Sequence, residues 1–221
     1  MPKAVVLVFP GSNGDRDLLE TFARAGFDTS YHDYRNPLEH GLDLVGLPGG
    51  FAFGDYWRAG MLASQASAVR GIEAHVQRGG LAIGICNGFQ ILVEGGLLPG
   101  ALRYNEPPFY RHRWLEVERV DGVDSPWLTG ISAGTRLRMP MAHGEGNYYH
   151  PGGPSAIQRQ VPFRYVKNPN GSVADAAALL DPTGRILGIM PHPERASEPA
   201  LGTDDGKILF EAAYAYCEAR T

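Results

Sequence analysis

One cysteine stands in a setting suited to nucleophilic chemistry. Cys86 lies in Gly84-Ile85-Cys86-Asn87-Gly88, directly after a buried apolar run and before a helical pattern. This glycine–x–nucleophile–x–glycine spacing is typical of a nucleophile elbow, in which small neighbours let a strand and a helix approach closely. The helix N-terminus favours negative charge, and so favours the thiolate of a side chain whose ordinary pKa is about 8.5. The pattern predicts Cys86 as a catalytic nucleophile.

The competing interpretation of Cys86 is a buried small hydrophobic residue, which is what most isolated cysteines are. The other cysteine of the sequence, Cys217, fits that interpretation better. It lies among apolar residues at helical spacing near the end of the chain, and no glycine turn adjoins it. The elbow context favours catalysis for Cys86 and packing for Cys217.

A thiolate enzyme also needs a proton acceptor that later serves as an acid toward the leaving group. His192 is the best candidate, because Pro191-His192-Pro193-Glu194 follows an apolar run at residues 185–190, where a strand end is expected. Glu194 can fix the imidazole tautomer and stabilise its cation. A histidine that makes one local hydrogen bond in a turn is the usual alternative, but the pairing with a cysteine elbow favours a catalytic base.

Attack on an amide carbonyl creates an oxyanion, which needs preorganised backbone N–H donors. The glycine pair in Leu47-Pro48-Gly49-Gly50-Phe51 follows another predicted strand, and we expect the N–H of Gly50 to be one such donor. In elbow enzymes the residue after the nucleophile supplies the second donor, which is Asn87 here. An ordinary Pro-Gly turn is the alternative for the glycine pair.

The elements expected to position these residues alternate between strand and helix in the first half of the chain. Apolar runs predict buried strands, and the loop after the first leads into a capped helix with Leu18 and Phe22 on one face. Such alternation predicts an α/β fold with a parallel sheet and right-handed crossovers, in a single domain over residues 1–221. The predicted strands cover residues 4–9, 29–34, 43–47, 81–85, 114–120, 135–139, 162–166 and 185–190, and the later helices cover 63–78, begin at 89–93 and cover 205–219.

Composition excludes several classes of protein. The net charge of −4 and isoelectric point near 6.0 lack the basic footprint of nucleic-acid binding. No apolar run approaches the ~18 residues of a membrane span, and two cysteines argue against a disulfide framework, so we expect a cytoplasmic protein. No phosphate-binding loop is present, and His143 and His150 lack a third metal ligand, so we expect no metal and no cofactor in this chain.

Three motifs together resemble the class I (triad) glutamine amidotransferases. They are Pro48-Gly49-Gly50, Gly84-Ile85-Cys86-Asn87-Gly88-Phe89-Gln90 and His192-Pro193-Glu194. Further motifs resemble one family within that class, the glutaminase subunits of phosphoribosylformylglycinamidine synthase, an enzyme of purine biosynthesis. They span nearly the whole sequence in order: Val8-Phe9-Pro10-Gly11-Ser12-Asn13, Gly50-Phe51-Ala52-Phe53-Gly54-Asp55-Tyr56, Leu97-Leu98-Pro99-Gly100-Ala101, Ala142-His143-Gly144-Glu145-Gly146-Asn147 and Asn170-Gly171-Ser172.

The resemblance implies a flavodoxin-like, mostly parallel sheet with helices on both faces, and a triad of Cys86, His192 and Glu194. It implies glutamine as the substrate, with contacts from Gly49, Phe51, Gln90 and His143. It also implies two partners, a large synthetase subunit that uses ATP and magnesium and a small third subunit. Gly14 and His112 stand where that family often has cysteine, which leaves the triad unaffected.

Two other functions remain open from the sequence. One is a stand-alone hydrolase or stress protein with the same cysteine elbow and no ammonia transfer. The other is a noncatalytic scaffold that keeps only the fold. Aromatic residues at 51–57 and 109–110 are candidates for a partner interface, although packing around the site is an equally good interpretation.

Overall fold

The computed structural model describes residues 1–220. Its strands are β1 (Lys3–Val8), β2 (Asp28–Asp33), β3 (Leu44–Leu47), β4 (Leu81–Ile85), β5 (Ala101–Arg103), β6 (Arg111–Arg119), β7 (Arg136–His143), β8 (Asn147–Tyr149), β9 (Phe163–Tyr165), β10 (Ala178–Leu180) and β11 (Ile186–Ile189). Its α-helices are α1 (Asp15–Ala25), α2 (Met61–Ser64), α3 (Ser67–Arg70), α4 (Ile72–Gln77), α5 (Asn87–Glu94), α6 (Gly153–Ile157) and α7 (Lys207–Glu218).

The central sheet has six strands in the order β10-β11-β4-β3-β1-β2. β2, β1, β3, β4 and β11 are parallel, and β10 pairs antiparallel with β11 at one edge. Read from β2, the parallel strands follow the 2-1-3-4-5 order of flavodoxin-like folds. The predicted α/β class and mostly parallel sheet are confirmed.

Helices cover both faces of this sheet. A side chain built at Gly46 in β3 would collide with Leu18 and Phe22 of α1, so this position faces α1. The next residue, Leu47, contacts Gly88 of α5. Because successive residues of a strand point to opposite faces, α1 and α5 lie on opposite sides of the sheet. The strands between them are buried on both faces, which explains their unbroken apolar sequences.

The second half of the chain adds two small antiparallel sheets. β7, β6 and β9 form one in the order β7-β6-β9, and β5 pairs with β8 in the other. The β6–β7 ladder runs from the pair Arg111–His143 to the pair Glu118–Arg136. The end of β7 is tied to the turn after β11, since the N–H of His192 donates to Pro140 O at 2.8 Å. This sheet therefore brings residues 140–143 against the carboxyl edge of the central sheet.

The structure corrects three predictions about local elements. The single helix predicted at 63–78 is divided into α2, α3 and α4, because Ala66 is extended (φ −64°, ψ 148°) and Ala68 N–H donates to Tyr34 O outside the helix. The expected side-chain cap of α1 is absent, since its N-cap is Gly14. Three short strands, β5, β8 and β10, were not predicted; at three residues each they are too short to show a period of two.

Within residues 1–220, no helix combines the length and the hydrophobicity needed to cross a bilayer.

Candidate active site

Cys86 lies in a strained turn between β4 and α5. Its backbone has φ 52° and ψ −103°, a conformation that L-residues rarely adopt, and its side chain is 6% exposed. A Cβ at Gly84 would lie 2.5 Å from Gly88 O, and a Cβ at Gly88 would lie 2.1 Å from Leu47 O. Both glycines are therefore required by close backbone contacts, and Cys86 lies in the sharp strand-to-helix turn that the elbow pattern predicts.

His192 and Glu194 form a buried pair just past β11. His192 Nδ1 lies 2.6 Å from Glu194 Oε1, so the ring donates its Nδ1 proton to the carboxylate. Nε2 is buried and has no hydrogen-bond partner within residues 1–220. Burial by itself would lower the pKa of His192, but the Glu194 carboxylate and the neighbouring Cys86 sulfur outweigh it and raise that pKa to about 9. The imidazolium form is thus stabilised beside the thiol.

Gly49 shows how closely the residues of the predicted triad are packed. A Cβ added at this glycine would lie 2.9 Å from His192 Cε1 and 3.8 Å from Cys86 Cβ. The loop after β3 therefore touches both predicted catalytic side chains. On the other side, the Cys86 thiol is 3.7 Å from Ala142 O at the end of β7.

The two predicted oxyanion donors have free N–H groups. The loop 49–51 pairs with residues 11–13 through Asn13 N–H to Gly49 O (3.3 Å) and Phe51 N–H to Gly11 O (2.9 Å), a pattern that leaves the N–H of Gly50 outside the ladder. Asn87 is the first residue of α5, where a backbone N–H has no intrahelical acceptor. Within residues 1–220 neither N–H is paired. Asn87 follows Cys86 directly in the chain, and Gly50 lines the same cavity as Cys86.

An oriented relay of side-chain amides connects the elbow to the loop after β3. Asn87 Oδ1 accepts from Ala52 N–H (2.9 Å), and Asn87 Nδ2 donates to Asp55 Oδ1 (3.1 Å) and Gln90 Oε1 (2.9 Å). Gln90 Nε2 then donates to Glu145 O (2.7 Å). Because a backbone N–H can only donate, the direction of the whole relay is fixed.

These elements surround a cavity of about 180 Å³ that opens at the surface. The predicted residues that line it are Gly50, Phe51, Cys86, Gln90, His143 and His192. Lining residues that sequence reasoning did not select include Asn13, Asp55, Tyr104, Tyr110, Glu145 and Arg195. Asp55 and Glu145 belong to motifs on which the family resemblance rests, and Arg195 is next to Glu194 in the chain. Their position in or beside these motifs is the sequence feature that could have identified them as lining residues.

His143 is a neutral, oriented histidine. Asn105 Nδ2 donates to Phe109 O and His143 O, so Asn105 Oδ1 must accept from His143 Nδ1–H (3.1 Å). Burial, with the positive charges of His192 and Arg111, lowers the pKa of His143 to about 3. Its Nε2 is an acceptor that has no partner within residues 1–220.

The chain is similar in sequence to known amidotransferase domains over nearly its full length. Residues 1–217 match the profile of the CobB/CobQ-like glutamine amidotransferase domain. The phosphoribosylformylglycinamidine synthase subunits PurQ of Ruegeria sp. (strain TM1040) and Cereibacter sphaeroides are 47% and 46% identical to this chain, over 95% of it and 96% of each relative.

Solved structures agree with the sequence match. A chain of PurLQS from Thermotoga maritima has a TM-score of 0.88 at 40% identity and covers 97% of this chain and 98% of that chain. Another Thermotoga maritima protein, described as a glutamine amidotransferase, shares the fold, with a TM-score of 0.58 at 20% identity, over 99% of this chain and 92% of that chain. On the full-length match to the domain profile and to the PurQ relatives, this chain belongs to the CobB/CobQ-like glutamine amidotransferases and, within them, to the PurQ family.

Proposed function

We propose that this chain is the glutaminase subunit of phosphoribosylformylglycinamidine synthase, which releases ammonia from glutamine at Cys86 for use by a synthetase subunit. The PurQ relatives carry the name of that enzyme, and the solved relative is part of PurLQS. The observation that carries the site assignment is that a strained Cys86 and the imidazole of His192 line one cavity, with the Nδ1 of that imidazole held by Glu194.

In the first half of the reaction, the Cys86 sulfur attacks the side-chain carbonyl carbon of glutamine. The carbonyl electron pair moves to oxygen, and the N–H groups of Gly50 and Asn87 stabilise the resulting oxyanion. His192 gives its Nε2 proton to the amide nitrogen as the carbon–nitrogen bond breaks. Ammonia leaves, and a γ-glutamyl thioester remains on Cys86.

In the second half, the now neutral Nε2 of His192 takes a proton from water, which attacks the thioester. The carbon–sulfur bond breaks, glutamate is released and the thiolate returns beside an imidazolium. Glu194 keeps the ring in the tautomer that both steps need. Gly49, Phe51, Gln90 and His143 are assigned to glutamine binding on their position beside the triad or along the cavity.

The rest of the enzyme lies in other chains. Ammonia is protonated and loses its nucleophilicity in bulk water, so direct transfer to a docked large synthetase subunit is part of this proposal, as is a small third subunit. ATP and magnesium are assigned to the synthetase. The two reduced thiols, Cys86 and Cys217, support a cytoplasmic location, and the single connected core cluster, with a family match over residues 1–217, supports one domain.

Cys86→Ala tests the proposal in the assembled complex. Glutamine-dependent synthesis should be lost, while synthesis from added ammonium salts should be retained, because the synthetase site is untouched. Cys217→Ala is the matched control, since it removes the other thiol, which is buried away from the cavity. Equal loss of both activities in Cys86→Ala would contradict the assignment.

A further inference from the structure

Two carboxylates share one wall of the catalytic cavity without a counter-ion. Asp55 and Glu145 both line the cavity and both are partly buried. They lie close enough that the charge of Glu145 raises the pKa of Asp55. Within residues 1–220, neither carboxylate takes part in an ion pair, although burial of a charge ordinarily requires one.

The cations that line the cavity or act on either carboxylate are already engaged. Arg195 and His192 line the same cavity, but both are directed to Glu194, at 3.5 Å from Nε and 2.6 Å from Nδ1 respectively. Arg58 lies near Glu145, but its Nε is 2.6 Å from Glu94 Oε1 and its Nη2 donates to Leu102 O. The wall formed by Asp55 and Glu145 therefore keeps an uncompensated negative charge.

The relay described above holds this wall rigidly next to the elbow. Asn87 Nδ2 occupies one oxygen of Asp55, and Gln90 Nε2 holds the backbone of Glu145. Asp55 has φ 52°, an unfavourable conformation that the surrounding loop maintains. The Asp55 carboxylate is thus positioned, at a cost in backbone strain, on the cavity that Cys86 and Glu145 also line.

We propose that Asp55 and Glu145 bind the α-ammonium group of glutamine and are specificity-determining residues of the glutaminase site. This inference rests on the proposed function, which puts the side-chain amide of glutamine at Cys86. With the side-chain amide of glutamine at the Cys86 sulfur, the α-carbon extends along the cavity. The α-ammonium group then meets the carboxylates of Asp55 and Glu145, which have no other ion-pair partner in the described part of the chain. The wall then selects a free amino acid over amides that lack the α-amino group.

The experiment compares glutamine with glutaramate, which is glutamine without its α-amino group, as substrates of the assembled complex. The selectivity, defined as the ratio of kcat/KM for glutamine to that for glutaramate, should fall about 10- to 100-fold in Asp55→Asn and in Glu145→Gln, through KM for glutamine. Glu73→Gln, which removes an exposed carboxylate on α4, is the matched control and should keep the wild-type ratio. If the two carboxylates had a purely structural role, the substitutions would reduce kcat/KM for glutamine and for glutaramate by the same factor, and the ratio would not change.

A binding measurement tests the same inference if the Asp55→Asn variant folds poorly. In a Cys86→Ala background, calorimetry should show that Glu145→Gln weakens the binding of glutamine and leaves the binding of glutaramate unchanged. Wild-type selectivity in both variants, with glutamine still hydrolysed at Cys86, would overturn this inference alone. Failure of the wild-type complex to hydrolyse glutamine would overturn the proposed function and this inference with it.

Discussion

His192 Nδ1 and Glu194 Oε1 are 2.6 Å apart in a region where the two side chains are 2% and 1% exposed. A short charge-assisted hydrogen bond in such a dry environment is strong, and it fixes which ring nitrogen faces Cys86. Only Pro193 separates the two partners in the chain, so the sequence itself nearly determines the contact. The pair is therefore the most direct place to test the assigned chemistry.

Glu194→Gln should lower the pKa of His192, since the carboxylate is the main group that raises it to about 9 against the effect of burial. The imidazolium would then be lost at lower pH, and kcat for glutamine should fall on the order of 10²- to 10⁴-fold. An NMR titration of His192 and steady-state kinetics measure the two effects. Glu198→Gln, at a partly exposed residue of the same segment, should change neither. An unchanged kcat in Glu194→Gln would refute the triad assignment.

Gly49→Ala should displace the His192 ring, because the new Cβ would lie 2.9 Å from Cε1. A displacement of about 1 Å in a catalytic group costs on the order of 100-fold, so kcat should fall by about that factor while the fold persists. Gly41→Ala should give the opposite result. A Cβ added at Gly41 would have no atom within 4 Å, but φ is +80°, so the free energy of unfolding should fall by about 1–2 kcal/mol while the activity is unchanged. Kinetics and denaturant unfolding of both variants distinguish packing at the site from backbone strain.

Local patterns in the sequence predict the triad but not the acidic wall beside it. The glycines around Cys86 and the His-Pro-Glu turn are local, so residue types and spacing predict the triad, and they also predict the parallel sheet that the structure confirms. Asp55 and Glu145 are 90 positions apart in the chain and meet only because β7 folds back over the elbow. The break of the 63–78 helix depends on a hydrogen bond from Ala68 to Tyr34, which no local pattern encodes.

The KM for glutamine should rise as the pH falls through about 6. Burial first, and the charge of Glu145 second, raise the pKa of Asp55 to about 6, so Asp55 is ionised above that pH and neutral below it. Neutral Asp55 cannot attract an ammonium group, and the affinity is lost on the acid side. Asp55→Asn should give a high KM that varies little between about pH 5 and 7.5. Glu145→Gln removes the like charge, so it should move the remaining transition to lower pH. A wild-type KM that is flat across this range would contradict the assigned role of Asp55.

Thiol-directed labelling should separate a catalyst from a noncatalytic scaffold. Cys86 borders the cavity, whereas Cys217 is fully buried in α7, and burial raises the pKa of its thiol to about 12. A glutamine-like electrophile should therefore modify one site per chain, at Cys86, and excess glutamine should protect it, as peptide mass mapping can show. The Cys217→Ala variant should label at the wild-type rate, and Cys86→Ala should not label. Labelling that glutamine does not slow would mean that the sulfur is reactive but that the cavity does not hold the substrate, which would support the scaffold interpretation. Steady glutamine hydrolysis by the isolated chain, unaffected by added synthetase, would instead favour the stand-alone hydrolase.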